Sequence, residues 1–222
     1  MNGAQDLGGQ MGHGPIALEP GEPNFHAKWE ERAFAITLAM GATGTWTLDA
    51  SRFARESLPP AEYLASSYYE IWTKGLEKLV VQYGLVTAEE LRTGTALEPA
   101  KPVNRVLAAE SVPEVLAKGA PVDRPAAQPP RFRVGDHVHT KRLNPEHHTR
   151  LPGYARDTVG QIEAIHGVHV FPDANAHGKG DQPAWLYGVA FEGPDLWGPG
   201  TDRDLVVRID LWEPYLELAS KL

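Results

Sequence analysis

No cysteine occurs anywhere in the 222 residues. That absence excludes a disulfide framework and every thiolate metal site. Long apolar runs are missing too: none approaches the roughly 18 residues that a membrane span requires. No basic stretch followed by an apolar core opens the chain, so no secretory signal is expected. Positive charge is in deficit. Lys and Arg total 21 against 29 Asp and Glu, a formal net charge of −8. Nucleic-acid binders usually carry a basic face, so that class is set aside. No internal repeat is visible. The simplest expectation is a cytoplasmic protein that touches neither membrane nor nucleic acid.

What is present is ordinary globular material, 42% apolar and 23% charged. The 22 glycines and 19 prolines concentrate in residues 3–23, 94–130 and 193–200. These clusters divide the chain into an arm (1–23), a helical domain (24–94), a linker (95–130) and a C-terminal domain (131–222). The arm has no apolar period, and its glycines keep the backbone permissive. Composition alone leaves it open between a disordered leader and an extended arm laid on a partner.

The helical domain carries three signals. Trp29, Ala33, Ile36 and Met40 repeat at helical spacing behind Asn24, a candidate cap. Asp49 caps a short helix to Glu56, stopped by Pro59 and Pro60. A long helix is predicted from Pro60 to about Tyr83, with Leu64, Tyr68, Ile71, Gly75 and Leu79 on one stripe. Thr87 and Glu90 form a capping box for another short helix that Gly94 ends. The linker offers one helical turn near Ser111–Lys118. Beyond Arg131 the period falls to two. Phe132–Val138, Val159–Ile162, Trp185–Phe191 and Leu205–Trp212 read as strands, with a fifth near Val168–Phe171. Short strands with turns between them predict a small antiparallel barrel.

Several side chains could carry chemistry. Arg52 and Arg55 are three apart and share a helix face; read as residues alone, they are a solvated pair bonded to Asp49 or Glu56. Arg150 and Arg156 flank Pro152-Gly153 in a bent loop before a strand, where a plain role is to satisfy carbonyls. The Tyr68-Tyr69 pair reads first as helix core. Seven of the nine histidines lie beyond residue 130. A histidine-only zinc site there is disfavoured, because no Asp or Glu recurs at ligand spacing. In a loop between strands, Asp173 and His177 could hydrogen-bond each other or a partner backbone.

Three segments, taken in order, resemble the β subunit of nitrile hydratase: MNGAQDLGGQMGHGPI at the start, DASRFARESLPPAEYLASSYYEIW in the first half, and HHTRLPGYARDTVGQI in the second. The stretch HGVHVFPDANAHGKG from His166 to Gly180 adds a fourth similarity. The resemblance covers about 1–94 and 131–219. It implies an α+β protein: an extended arm and helical domain, then an SH3-like antiparallel β-barrel. It implies a cysteine-bearing α subunit as partner, in an αβ heterodimer or a heterotetramer built from it. It further implies hydration of a small nitrile to an amide. The metal would be non-corrin cobalt(III) or non-haem iron(III), held by three cysteines of the α subunit, two of them oxidised; this chain alone would bind none.

The same resemblance assigns roles. Arg52, in Leu48-Asp49-Ala50-Ser51-Arg52, and Arg156, closing His148–Arg156, would hydrogen-bond the oxygens on the oxidised sulfurs. A guanidinium suits that role, because it stays charged and offers a planar fork of donors. Tyr68 would be a polar contact near the metal. Trp72 would wall the substrate channel, with Leu48, Ser51 and Met40 as further lining. His148 and Arg150 would support them from behind. The sequence departs from the family in three places: His147 where Gly is common, Gly153 where a basic residue is common, and Asp157 where Gly is common. Two alternatives stand beside this reading. One is a thiocyanate hydrolase-type subunit, whose corresponding halves are separate chains. The other is a non-catalytic assembly or activator protein of the same operon.

Overall fold

Helix α1 occupies Lys28–Ala42, and its cap is Ala27 rather than Asn24. Glu30 moves the start. Its Oε2 accepts from the backbone N–H of His26 at 2.6 Å and of Ala27 at 3.3 Å, satisfying donors that a helix start leaves orphaned. The expected apolar stripe does not turn wholly inward. Trp29 is 44% and Ile36 49% exposed, whereas Glu30 and Thr37 are buried. Helix α2 spans Leu48–Glu56 and is capped by Thr47, whose Oγ1 accepts from Ala50 N at 3.1 Å; Asp49 lies in its first turn.

The long helix predicted from Pro60 is two helices, α3 (Pro60–Ala65) and α4 (Tyr68–Gln82). Ser66 and Ser67 interrupt it because Glu70 reaches back to the Ser67 N–H at 2.6 Å and starts a new helix there. Helix α5, Ala88–Thr93, has the expected capping box and ends on a left-handed Gly94. The start of the linker is tied down by the same Glu90. Its Oε1 accepts from Leu97 N at 2.8 Å and Glu98 N at 3.1 Å. The Thr87 N–H, with those two backbone donors, holds its carboxyl down at about 2. Helix α6 follows at Val112–Lys118.

Six strands follow: β1 (Asp123–Arg124), β2 (His137–Thr140), β3 (Val159–His169), β4 (Ala184–Glu192), β5 (Val206–Trp212) and β6 (Leu216–Leu218). Short helices α7 (Pro172–Asn175) and α8 (Gly193–Trp197) sit in the connections. All pairings are antiparallel, in the order β5-β4-β3-β2-β6, with β1 on the far part of β3. The order is open: β5 and β6 are its ends. The expected fifth strand near Val168 is the continuation of β3, which stays one element across two register shifts, at Ile162/Ala164 and Ile165/Gly167. Such bulges bend a strand and let it change partners.

The computed structural model describes residues 2–219, which fall into two compact units. The helical unit spans 12–120 and takes in 3–5. Its core is Trp46, Ala50, Ala54, Leu79 and Val80, with Met40, Leu76, Leu85 and Val86 packed against it. The sheet unit runs from 121 and takes in Asn2 and 6–11. Its core includes Phe132, Val138, Leu151, Ile162, Tyr187, Phe191, Leu211 and Tyr215. Burial of this kind stabilises by about 25 cal/mol for each Å² of apolar surface removed from water. Among the described residues no helix is long and apolar enough to cross a membrane.

Candidate active site

In the helical unit, α2 and α4 pack together and present most of the side chains expected to act. Leu48 is 56% and Tyr68 64% exposed, each at the first residue of its helix, whereas Ser51 is buried. Arg52 donates from Nη1 to Asp49 Oδ1 at 2.8 Å, and its side chain remains 40% exposed. It therefore stays partly open to solvent while a buried carboxylate holds the Nη1 end of its guanidinium. Met40 is partly buried against the helical core.

Trp72 belongs to an aromatic group. Its ring lies 5.4 Å from Tyr68, 5.9 Å from Tyr69 and 6.1 Å from Phe34, centroid to centroid. Arg55 joins this group, with its guanidinium carbon 4.1 Å from the Trp72 ring centroid. Arg55 also donates to Ser51 Oγ at 3.1 Å. Burial lowers its pKa, the neighbouring Arg52 charge adds to that, and Tyr68 opposes it. Gly75 makes the packing possible, since a Cβ there would stand 2.6 Å from Arg55 Cγ. The spacing of Arg52 and Arg55 puts both on one face; it gives no sign that Arg55 stacks on an indole one helix away.

In the sheet unit, Arg156 is only 9% exposed. Its Nε and Nη2 donate to Leu151 O at 3.3 and 3.1 Å, and its Nη1 donates to Leu143 O at 3.0 Å. Nη1 also donates to the Asn2 side-chain oxygen, and Nη2 lies 3.7 Å from Asp6 Oδ2. A loop arginine that satisfies carbonyls is thus what the geometry gives, with two residues of the arm added.

His148 is fully buried, and its N–H points to His177 Nε2 at 3.4 Å. The Arg150 N–H donates to Tyr215 Oη at 3.0 Å. Tyr215 Oη in turn donates to Asp173 Oδ1. Burial raises Asp173, with Tyr215, His148, Thr149 and His147 opposing. Burial raises Tyr215 as well, and the Asp173 charge adds to it. No local sequence signal exists for this Asp173–Tyr215 bond. A chain of hydrogen bonds therefore runs from α7 to the loop that carries Arg156.

No cysteine is available to hold a thiolate-bound metal. Among the described residues, the His, Asp and Glu side chains close enough to share an ion are Glu19, Glu22 and His26, all exposed. The donor set suited to an anionic partner is the arginines.

Comparison with known proteins agrees with the motifs. The family model described as nitrile hydratase β subunit, N-terminal, matches residues 1–117, and the corresponding C-terminal model matches 121–218. The β subunit of a nitrile hydratase from Pseudomonas putida is 40% identical over 99% of this chain and 100% of that protein. The β subunit of a low-molecular-weight cobalt-containing nitrile hydratase from Rhodococcus rhodochrous is 38% identical over 97% of this chain and 99% of that one. The thiocyanate hydrolase α subunit of Thiobacillus thioparus is 32% identical over 40% of this chain and 72% of its own length. A solved apo form of that hydrolase matches with a TM-score of 0.40 and 29% identity over 42% of this chain and 79% of that chain. With both halves of the family matched in order along one polypeptide, the chain belongs to the nitrile hydratase β-subunit family.

Proposed function

We propose that this chain is the β half of a nitrile hydratase, adding water to a nitrile to give an amide, R–C≡N + H₂O → R–C(=O)NH₂, in complex with a cysteine-bearing α subunit. The observation that carries the reading is continuity. Both family halves lie on one chain, over the full length of the Pseudomonas putida relative.

When bound by the partner, the cobalt or iron supplies Lewis acidity towards nitrile or water. The contribution of this chain is positioning and charge. Arg52, rooted on Asp49, offers its exposed donors to the oxygens of the partner's oxidised cysteines. Arg156 offers the Nη1 edge, which in the free chain rests on the neutral Asn2 amide and the Leu143 carbonyl. Charge-assisted bonds of this kind fix ligand geometry and shield a sulfenate from further oxidation. Tyr68 offers an exposed hydroxyl as a polar contact. Trp72 forms a wall, and Leu48, Ser51 and Met40 line the approach. His148 and Arg150 support the loop that holds Arg156.

The same reading sets the domains at 24–94 and 131–222, preceded by the arm 1–23 and joined by 95–130. The bent β3, shared between β2 and β1, supports an SH3-like barrel for the second of them. Assembly as an αβ pair, or as a tetramer of two pairs, and residence in the cytoplasm complete the proposal.

The test is product analysis with the co-purified complex. Amide from a small nitrile, without turnover of thiocyanate, is the expected outcome. Turnover of thiocyanate alone would favour the hydrolase-type subunit, and a merely transient complex with the α subunit would favour an accessory protein.

A further inference from the structure

Arg55 lies one helical turn beyond Ser51 on α2, and its Nη2 donates to the Ser51 hydroxyl at 3.1 Å. Its guanidinium carbon stands 4.1 Å from the centroid of the Trp72 ring, on α4. One side chain thus joins the buried Ser51 to Trp72, two residues that the proposed function places along the substrate approach. The stem of Arg55 is confined as well. A Cβ on Gly75 would stand 2.6 Å from Arg55 Cγ and 3.4 Å from its backbone N. A larger residue at that point of α4 would displace the stem that carries the guanidinium to the indole.

The surroundings differ from those of a solvated surface arginine. Burial lowers the Arg55 pKa and the nearby Arg52 charge lowers it further, with Tyr68 and Glu56 opposing. The groups it touches directly are neutral, a hydroxyl and the face of an indole. A cation over that face is attracted by the ring quadrupole, and more strongly where water is kept out. The other ring neighbours of Trp72 are Tyr68, Tyr69 and Phe34, with centroids 5.4 to 6.1 Å away, all tilted or edge-on. Contacts of that kind surround an indole without defining its plane. A planar guanidinium anchored on Ser51 and laid on the ring does define it.

We infer that Arg55 determines specificity through Trp72: bonded to Ser51 and stacked on the indole, it holds that wall in one orientation for the larger nitriles that touch it. It is a positioning residue, since it acts on substrate through another side chain. The inference rests on the nitrile hydratase reading for the wall, whereas the Ser51–Arg55–Trp72 stack rests on geometry alone. A wall that must be ordered at each binding event costs affinity for the ligand that contacts it. A small nitrile contacts it less, so the loss must grow with substrate size.

The test compares benzonitrile with acetonitrile in the assembled αβ enzyme. Arg55→Met keeps an unbranched stem beside Gly75 and removes both guanidinium contacts. It is expected to lower the ratio of kcat/KM for benzonitrile to that for acetonitrile at least about fivefold, with kcat on acetonitrile within about twofold. In a Trp72→Leu background the same substitution is expected to move the ratio less than about twofold. A ratio that stays constant or rises, or an equal fall in both backgrounds, would overturn the inference, because a residue that only stabilises the fold acts independently of Trp72. Should Arg55→Met fail to assemble, Arg55→Lys runs the same cycle, since it keeps the charge and loses the planar fork; a fall of at least about threefold is then expected. A readout free of catalysis uses the chain by itself. The Trp72 indole N–H resonance, assigned by its loss in Trp72→Leu, is expected to shift in Arg55→Met. An unmoved resonance would overturn the stack. A shifted resonance in a chain whose metal-loaded complex turns over no nitrile would overturn the nitrile hydratase reading and leave the stack standing.

Discussion

Arg52→Lys separates fold from function most cleanly. The arginine holds Asp49 at 2.8 Å while its side chain stays 40% exposed. The pair sets a side chain 40% exposed on a buried carboxylate, and lysine keeps a charge that can still reach Asp49, so stability should fall by about 1 kcal/mol at most. Function should fall much further. Lysine offers a point charge on a flexible stem where arginine offers a planar fork, and it cannot stay bonded to Asp49 while reaching two further oxygens in a fixed plane. Losing one preorganised charge-assisted donor costs on the order of 10²-fold in kcat, about 2.7 kcal/mol. The assay is amide formation by the purified αβ complex, with urea unfolding of the same preparation. The expected result is a kcat at or below about a hundredth of the parent, with an almost unmoved unfolding midpoint. An assembled variant retaining activity within about threefold would refute the reasoning.

Gly75→Ala tests the helix contact under Trp72. The alanine gains about 1 kcal/mol of helix propensity, but its Cβ would stand 2.6 Å from the mid-stem of Arg55. Overpacking of that kind costs about 1–3 kcal/mol, so a lower urea midpoint is expected and a higher one would count against the packing described. Asp173→Asn addresses the buried carboxyl faced by Tyr215, Thr149, His147, His148 and His177. Its folded pKa is raised, so the parent loses stability as pH rises through the carboxylate range. The variant, which can still accept from Tyr215, should match the parent in acid and equal or exceed it at neutral pH; a neutral-pH loss confined to the variant would contradict this. Glu90→Gln should speed amide exchange at Leu97 and Glu98. In the parent, the protection of those amides relative to unstructured ones is expected to fall as pH drops towards about 2, because a depressed carboxyl loses its contribution as it protonates. Unaltered exchange at those two amides would reject the staple.

Much of this molecule is legible locally. The Thr87–Glu90 box, the Gly94 stop and the strands at Trp185–Phe191 and Leu205–Trp212 need only neighbours in sequence, and they form where local rules put them. The failures have local causes as well. Glu30 and Glu70 reach back three residues and reset the starts of α1 and α4, overriding Asn24 and dividing the long helix. β6 is three residues after a proline turn, too short for a period to register. The site is legible as motifs but not as contacts. Arg156 meets Asn2 across 154 positions, and Arg55 meets Trp72 through a gap that Gly75 leaves; neither follows from spacing. The exposed Trp29 and Ile36 carry helical periodicity without burial in this chain, so pattern alone overstates its core.

The central claim is that catalysis requires this chain together with its cysteine-bearing partner. The most direct measurement is titration of the chain into a fixed amount of metal-loaded α subunit, following amide formation from a small nitrile. The account predicts negligible activity from either component alone and a rise that saturates at one chain per α subunit. Full activity from the α subunit alone, or no amide at any ratio from a stable metal-loaded complex, would contradict it.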